Sequence, residues 1–380
     1  MTNSTVANST TGSPKARLIA FYLPQYHPTP ENDVWWGKGF TEWTNVAKAR
    51  PFYPGHRQPN LPSDLGFYDL RVPETRQAQA DMARAYGIEG FCYWHYWFGN
   101  GRRMLDEVFN EVLESEKPNF PFCLGWANET WNRVWHGQQA QVLIEQTYPG
   151  EEDHRNHFKF LLKAFRDPRY IRVDGMPLFV IYLPMSLPNS RQVIAFWRKL
   201  ALEAGLPGLF VAGICSDNIS LEPLGLDARI PPQPTTLWYL KKTGSPVPAT
   251  RPTLVSRIWN RFRKKLPFPQ ISSYKRKVGW LVNLPPCDSK TIPCPLPNWD
   301  NTPRRGTGGN LFPDANPELY RRALRKAIAD VENRPPDRRL VFIKSWNEWA
   351  EGNHLEPSQR FGHEFLQVTK EEVFRLVPQT

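Results

Sequence analysis

The chain has 380 residues, enough to bury a large core in one or two domains. It contains 15 Trp residues, and 48 Lys and Arg against 37 Asp and Glu give a net charge of +11, which favours an anionic partner. Its apolar runs are shorter than the roughly 20 residues that span a bilayer. GxGxxG, Walker A, GxSxG and HExxH motifs are absent, which argues against dinucleotide, P-loop, serine-hydrolase and zinc-protease chemistry.

The N-terminal residues 1–14 are rich in Ser, Thr and Asn and lack the apolar core of a signal peptide. They are expected to form a disordered leader, and residues 15–376 a single catalytic domain. The expected location is the cytoplasm, and peripheral association with the inner membrane is a second option. The five cysteines are odd in number and lack a CxxC pair, which argues against a disulfide framework. Cys287 and Cys294 are therefore expected to stay reduced.

Strand-like and helix-like segments alternate along the chain. The predicted strands are residues 17–26, 88–97, 120–126, 177–183, 209–215, one within 227–240, 278–284 and 340–345. The predicted helices are residues 73–86, 104–116, 151–165, 191–204 and 317–332, the last with Asn316 as N-cap. This alternation predicts an α/β fold with a parallel sheet and right-handed crossovers. About eight units favour a (β/α)8 TIM-like barrel with long βα loops.

The segment of residues 241–277 interrupts this alternation and holds much of the positive charge. Val255, Ile258, Trp259 and Phe262 follow helical spacing there, among basic residues. Two interpretations stay open: a basic amphipathic helix that binds a membrane surface or an anionic polysaccharide, or a solvated insertion docked on the barrel. Nucleic acid is not expected as a partner.

In barrels of this kind the functional residues gather where the strands end. Aromatic, amide and acidic side chains follow five of the predicted strands and their loops. The candidates for substrate binding are Tyr26, His27, Glu42, Trp43, His95, Trp97, Trp126, Asn128, Glu129, Trp299, Asp300, Asn301, Asn347 and Trp349. Aromatic rings pack on the C–H faces of sugars while amides bind hydroxyls. The clusters therefore predict one glycan-binding cleft.

The histidines allow different interpretations. His95 lies among aromatic residues at a strand end, and a core position and a sugar-binding donor are equally compatible with that pattern. His154 and His157 lie three apart on a predicted helix and are expected to be exposed.

Residues 346–352 read WNEWAEG and contain the candidate catalytic pair, Glu348 and Glu351. Residues three apart lie about 5–6 Å apart in a helical turn and at most about 10 Å apart when extended. Retaining glycosidases hold their carboxyls about 5–5.5 Å apart and inverting enzymes about 6.5–9.5 Å, so the spacing leaves the stereochemistry open. Burial beside Trp346 and Trp349 would raise the pKa of one carboxyl and let it act as an acid.

Taken together, these motifs resemble the WbsX-like proteins, a bacterial group related to glycoside hydrolase family 99, the endo-α-mannosidase-like family. The matching motifs are FYLPQYHP at residues 21–28, GFTEW at 39–43, the aromatic run at 91–97, WANE at 126–129, WDNT at 299–302 and WNEWAEG at 346–352. They extend over nearly the whole chain.

The resemblance implies a (β/α)8 barrel with a retaining hydrolase-like site that uses neither a metal nor a cofactor. It implies that Glu348 removes the proton of the sugar 2-hydroxyl and that Glu351 is the acid/base at the leaving oxygen. The implied path runs through a 1,2-anhydro sugar. Ala350 stands where many family 99 hydrolases carry His, which leaves the substrate open.

Three function classes follow from the resemblance. The first is a glycoside hydrolase or transglycosylase that acts on a bacterial surface polysaccharide or its precursor, with an α-mannoside-like substrate. The second is a glycosyltransferase of O-antigen, capsule or lipopolysaccharide biosynthesis. The third is a non-catalytic glycan-binding barrel.

Overall fold

The computed structural model describes residues 12–133, 141–241 and 268–375. Seven parallel strands form its centre in the spatial order β6-β5-β4-β3-β2-β1-β7. These strands are β1 Arg17–Tyr22, β2 Gly90–Trp97, β3 Phe122–Trp126, β4 Met176–Ile181, β5 Phe210–Ile214, β6 Ala228–Ile230 and β7 Leu340–Ile343. Nearly all their residues are buried, as expected when both faces of a parallel sheet are covered.

The ring is nearly closed between β6 and β7 by a proline-rich segment, residues 290–295. Ile292 N donates to Arg229 O in β6 at 2.8 Å, and Phe342 N in β7 donates to Pro293 O at 2.9 Å. Proline has no backbone N–H, so this segment pairs irregularly with its neighbours. With it as the remaining barrel position, the predicted (β/α)8 TIM-like fold is confirmed.

Helices surround the barrel and fill its loops. In the described residues they are α1 Pro30–Trp36, α2 Glu42–Lys48, α3 Pro73–Ala85, α4 Glu107–Glu114, α5 Glu151–Phe165, α6 Ser190–Glu203, α7 Thr235–Tyr239, α8 Tyr274–Leu281, α9 Thr302–Arg305, α10 Pro317–Val331 and α11 Glu364–Phe374. Short strand pairs join Trp131–Arg133 to Gln141–Ile144, Gln270–Ile271 to Asn310–Leu311, and Asn347–Glu348 to Asn353–His354. Two further short strands, Arg103–Met104 and Arg172–Val173, pair with β2 and β4.

The five predicted helices are present as α3, α4, α5, α6 and α10. Asn316 caps α10 as predicted, because its side chain accepts a hydrogen bond from Leu319 N at 3.0 Å. The local signals were sufficient here because capping residues and apolar spacing act within one or two helical turns.

The predicted strand at residues 278–284 is wrong. Most of that stretch lies in α8, whose N-cap Ser273 accepts from Arg276 N at 3.2 Å. A short apolar run has no periodicity that separates a buried strand from a helix. The barrel position predicted there is instead taken by residues 290–295, where prolines hide the strand pattern.

The expected exposure of His154 and His157 is also wrong. Their relative exposures are 7% and 0%. Both lie on the face of α5 that packs against the barrel, together with Phe158 and Leu161. The spacing of these four residues is that of an inward helix face, and the histidines belong to it.

The five cysteines are free thiols, as expected for Cys287 and Cys294. Residues 255–262, for which a basic amphipathic helix was one of the two open interpretations, lie outside the described residues, as do residues 1–11 of the predicted leader. Among the helices that are described, none combines the length and the apolar character needed to cross a bilayer.

Candidate active site

A cleft of about 230 Å³ opens where the barrel strands end. The residues that line it come from the segments that follow β1, β3, β4 and β7, from β2 and from α9. They are Leu23, Gln25, Trp94, Tyr96, Ala127, Glu129, Trp131, Tyr182, Arg304, Lys344, Glu348 and Glu351. The cleft therefore combines aromatic walls with three carboxyl groups, one amine and one guanidinium, a composition that suits carbohydrate chemistry.

The carboxyl pair lies on a tight turn after β7. Asn347–Glu348 pairs antiparallel with Asn353–His354, and the connection between them is a single 3₁₀ turn, Trp349–Glu351. Gly352 ends that turn with φ +65°, a left-handed conformation that favours glycine. This geometry turns both Glu348 and Glu351 into the cleft.

The side chain of Arg304 joins three carboxylates at the bottom of the cleft. Its Nε donates to Glu42 Oε2 at 3.0 Å, and its Nη2 donates to Glu348 Oε2 at 3.1 Å. The remaining nitrogen, Nη1, lies 2.7 Å from Glu351 Oε1. The guanidinium thus fixes the relative positions of the candidate catalytic pair.

Asp300 holds the short helix α9 that presents this arginine. Its Oδ1 accepts from Thr302 N at 3.0 Å and from Thr302 Oγ1 at 2.6 Å, and its Oδ2 accepts from Gln58 Nε2 at 2.7 Å. Burial acts to raise the pKa of Asp300, but the hydrogen bonds from His56, Thr302 and Gln58 outweigh it and lower the pKa. Asp300 therefore supports the site from behind and does not line the cleft.

The two candidate catalytic carboxyls differ in their protonation. Burial first, and then the negative charge of Glu351, raise the pKa of Glu348 to about 7. Burial also acts to raise the pKa of Glu351, but Arg304 and Lys344 outweigh it and lower the pKa. Lys344 Nζ lies 3.8 Å from Glu351 Oε2. When the pair carries a single proton, these opposite shifts favour a protonated Glu348 and an ionised Glu351.

Tyr26 and Asn347 connect the loops that follow β1 and β7. The Tyr26 hydroxyl donates to Asn347 O and accepts from Trp349 N at 3.1 Å. The Asn347 side chain accepts from Leu23 N at 2.8 Å and donates to Leu23 O at 3.1 Å. All these groups are buried, so they hold the backbone of the catalytic turn.

Glu356 is a buried carboxyl directly behind that turn, with 3% exposure. It accepts hydrogen bonds from Trp349 Nε1 at 2.7 Å, Gln79 Nε2 at 2.6 Å and Tyr68 OH at 2.8 Å. Burial raises the pKa of Glu356 to about 7, although these donors act to lower it. Glu356 therefore takes up a proton as the protein folds near neutral pH.

Glu356→Gln is expected to change how stability depends on pH. Between the ordinary glutamate pKa of 4.5 and about 7, the folded chain keeps a proton on Glu356 that the unfolded chain has released. The free energy of unfolding of the wild type should therefore fall through this window, by about 3 kcal/mol from this group, and then level off. Urea unfolding of both proteins from pH 4.5 to 8 measures the difference, and parallel curves would contradict the prediction.

The side chains of strand β2 point alternately toward the cleft and away from it, and the predicted site residues lie on the side away from the cleft. Trp94 and Tyr96 line the cleft. His95 and Trp97 point outward, where His95 Nε2 lies 2.8 Å from His157 Nε2 and the Trp97 ring stacks on His157 at 4.6 Å. Side chains alternate along a strand, so the pair predicted from the aromatic run lies on the face opposite to the cleft.

Of the predicted site residues, Glu129, Glu348 and Glu351 line the cleft, and Glu42 reaches it through Arg304. The others are buried in the surrounding structure: Tyr26, His27, Trp43, His95, Trp97, Trp126, Asn128, Trp299, Asp300, Asn301, Asn347 and Trp349. Two of these residues illustrate a structural role, in which the side chain binds the backbone of a loop. Asn128 Oδ1 accepts from Leu183 N at 2.8 Å, and Asn301 Oδ1 accepts from Asn310 N at 2.7 Å, so both amides fix loops.

Several cleft residues were not predicted as site residues, namely Gln25, Trp94, Tyr96, Trp131, Tyr182, Arg304 and Lys344. A signal exists for the two cations. Lys344 directly follows a buried strand, and Arg304 comes two residues after the WDNT motif at 299–302, so a search for counter-charges to the two acids would have found them. Among the described residues no group of three or more His, Cys, Asp or Glu side chains is arranged to hold a metal ion.

A family model described as Glycosyltransferase WbsX matches residues 18–369. A curated relative from Xanthomonas campestris pv. campestris strain B100, called Uncharacterized protein WxcX, is 37% identical over 379 residues. The alignment covers 97% of this chain and 52% of the relative. The protein of the same name from a second strain is also 37% identical, over 95% of this chain and 50% of its own length. This chain thus spans about half the length of the curated relatives it matches.

Solved structures share the barrel. A glycoside hydrolase-like protein superimposes with a TM-score of 0.56 at 17% identity, covering 95% of this chain and 94% of that chain. A GH99 endo-alpha-mannosidase from Bacteroides thetaiotaomicron superimposes with a TM-score of 0.53 at 18% identity, covering 94% and 97%. At such identities the likeness shows a common fold.

Proposed function

The chain belongs to the Glycosyltransferase WbsX family, and on that premise we propose that it is a retaining glycoside hydrolase or transglycosylase. Its substrate in this proposal is a bacterial surface polysaccharide or its precursor, with an α-mannoside-like residue at the cleavage point. The family match and the glycosidase-like barrel support the broader class of carbohydrate-active enzyme.

The observation that carries the proposal is the carboxyl pair on one turn of the cleft. Glu348 and Glu351 both contact Arg304, yet burial raises the pKa of Glu348 to about 7 whereas the neighbouring cations lower that of Glu351. Two carboxyls whose environments separate their pKa values are the arrangement that acid/base catalysis on a glycoside needs.

The roles come from the resemblance. Glu348 accepts the proton of the sugar 2-hydroxyl while O2 attacks C1, and Glu351 donates a proton to the departing oxygen as the C1–O bond breaks. A water or an acceptor hydroxyl then opens the 1,2-anhydro sugar, giving its proton to Glu351 as Glu348 returns one to O2. Because the surroundings of the pair favour a proton on Glu348, this assignment requires the bound glycan to shift that proton to Glu351.

The lining suits a neutral sugar ring. Trp94, Tyr96, Trp131 and Tyr182 supply aromatic surface around the carboxyl pair, and Gln25 adds an amide. Aromatic rings pack on the C–H faces of a pyranose, and the amide binds hydroxyls.

A glycosyltransferase that uses a nucleotide sugar is the second candidate, and the family description favours it. The charges of the cleft oppose it. Arg304 and Lys344 both lie against carboxylates, so the diphosphate of a nucleotide donor would compete with Glu351 for both cations. Contact of the basic insertion with a membrane or an anionic polysaccharide remains a prediction.

The experiment tests cleavage in the absence of nucleotide. The purified protein is incubated with aryl glycosides, mannosides first, and with bacterial surface polysaccharides, and the anomer of the first product is read by proton NMR. Cleavage with retained configuration is expected. Calorimetry with nucleotide sugars runs in parallel, and nucleotide-sugar binding without cleavage would favour the transferase. If neither occurs while Glu348→Gln and Glu351→Gln still bind glycan, the protein is a binding module.

A further inference from the structure

We infer that Arg304 is a positioning residue that, anchored by Glu42, determines which of Glu348 and Glu351 holds the proton of the pair. The inference rests on the proposed function, because it concerns the same two carboxyls. It adds a residue outside the WNEWAEG motif that acts on both of them.

The contacts of Arg304 leave it no free nitrogen. Nε donates to Glu42 at 3.0 Å, Nη2 to Glu348 at 3.1 Å, and Nη1 lies 2.7 Å from Glu351. The planar guanidinium presents its donors at fixed angles, so three carboxylates bound to one guanidinium have fixed relative positions. A lysine ammonium in this place would keep the charge but lose that geometry.

Glu42 is the part of this arrangement that lies outside the catalytic turn. It is the first residue of α2 and is 5% exposed. Its hydrogen bond to Nε leaves the two terminal nitrogens directed at Glu348 and Glu351. Its carboxylate offsets the charge of Arg304, so the guanidinium holds the pair without neutralising both of its members.

The distances make the effect of Arg304 unequal. Its contact with Glu351 is shorter than its contact with Glu348, and Lys344 adds a second cation on the Glu351 side at 3.8 Å. An ionised Glu351 is therefore favoured over an ionised Glu348. The titratable and charged groups that interact with the pair from the surrounding elements are Tyr26, Glu42, Tyr96, Glu129, Tyr182, Arg304 and Lys344.

Arg304→Gln tests the charge and Arg304→Lys tests the geometry. Arg304 lowers the pKa of both carboxyls, so its removal raises both. Both limbs of the pH profile of kcat/KM should therefore move to higher pH in Arg304→Gln, by about one to three pH units. The lower limb, which belongs to the more acidic Glu351, should move further because Arg304 lies closer to that carboxyl, and equal shifts of the two limbs would overturn the inference. Arg304→Lys should keep a pH profile near that of the wild type while kcat falls. The ammonium retains the positive charge but cannot hold the three carboxylates at fixed angles.

Arg305→Gln is the matched control. Arg305 is the next residue of α9 and is exposed, and it forms no ion pair among the described residues; of the cleft carboxyls, its charge acts on the pKa of Glu129. This variant removes one positive charge from the same helix and should leave the pH profile within about 0.3 units of the wild type, as expected for a screened surface charge. Circular dichroism and melting temperature verify that each variant is folded.

The possible outcomes are distinct. An unshifted profile with a raised KM in Arg304→Gln means that Arg304 binds the glycan, and this overturns the inference. A profile equal to that of Arg305→Gln overturns it as well. If instead Glu348→Gln and Glu351→Gln retain full activity, the proposed function itself fails, whatever the Arg304 variants do.

Discussion

Glu351→Gln is expected to reduce kcat on the native glycan about 10²–10⁴-fold, the usual contribution of a general acid. Glu351 lies in the cleft on the 3₁₀ turn after β7, and its neutral amide analogue cannot donate a proton to the leaving oxygen. The loss should be much smaller on a dinitrophenyl glycoside, because that leaving group departs without protonation. Steady-state rates on the two substrates measure this difference.

Glu348→Gln should lose activity by a similar factor on both substrates, since the 2-hydroxyl must be deprotonated whatever the leaving group is. The matched control is Glu114→Gln, the same change at an exposed position in α4, which should keep wild-type rates. If the smaller loss on the dinitrophenyl glycoside belongs to Glu348→Gln, the two roles are reversed, in agreement with the raised pKa of Glu348. Full activity of both variants would exclude catalysis by this pair.

Gly352→Ala is expected to lower kcat/KM about 10²-fold or more. Gly352 has φ +65°, and a Cβ at this position would lie 2.9 Å from Asp300 N and 3.0 Å from Asp300 Cβ. The left-handed conformation alone costs an alanine about 1–2 kcal/mol, and the contact forces the turn away from Asp300. Since Asp300 N donates to Glu351 O at 2.7 Å, the movement separates Glu351 from Arg304. Displacements of about 1 Å at a catalytic group can cost about 10² in rate.

Gly205→Ala separates the conformational cost of an alanine at positive φ from the effect of the close approach to Asp300. Gly205 has φ +80° and no atom within 4 Å of the Cβ position, and it follows α6 on the outside of the barrel. This variant should lose stability by the conformational cost alone, about 1–2 kcal/mol, and keep its activity. Urea unfolding and kinetics on both variants make the comparison. Equal activity losses, or none in Gly352→Ala, would show that the close approach to Asp300 does not position Glu351.

The strand β2 shows how far a residue pattern can predict the site. The run at residues 91–97 correctly predicts a buried strand whose end lies at the cleft. It does not tell which alternate residues point inward, because both faces of a barrel strand are buried and aromatic. His95 and Trp97 lie against α5 for this reason, and Trp94 and Tyr96 line the cleft.

Contacts between residues that are distant in the sequence cannot be predicted from local patterns, as the closing segment of the barrel and Arg304 show. Residues 290–295 act as a barrel position through pairing with β6 and β7, although their prolines give no strand pattern. Arg304 is separated in sequence by 262 residues from Glu42 and by 44 from Glu348. Contacts at such separations leave no local signal.

The alternation of strands and helices, the barrel and the acid pair at the end of its last strand can all be predicted from the amino-acid sequence. These features depend on apolar spacing, caps and turn residues that act over a few neighbouring positions. Three properties become visible in the folded structure alone: which side chains face the cleft, that Arg304 joins three carboxylates, and that the pKa of Glu348 is raised. Those properties depend on burial and on distances between charges from distant parts of the chain, because the pKa of a carboxyl is determined by what surrounds it in space.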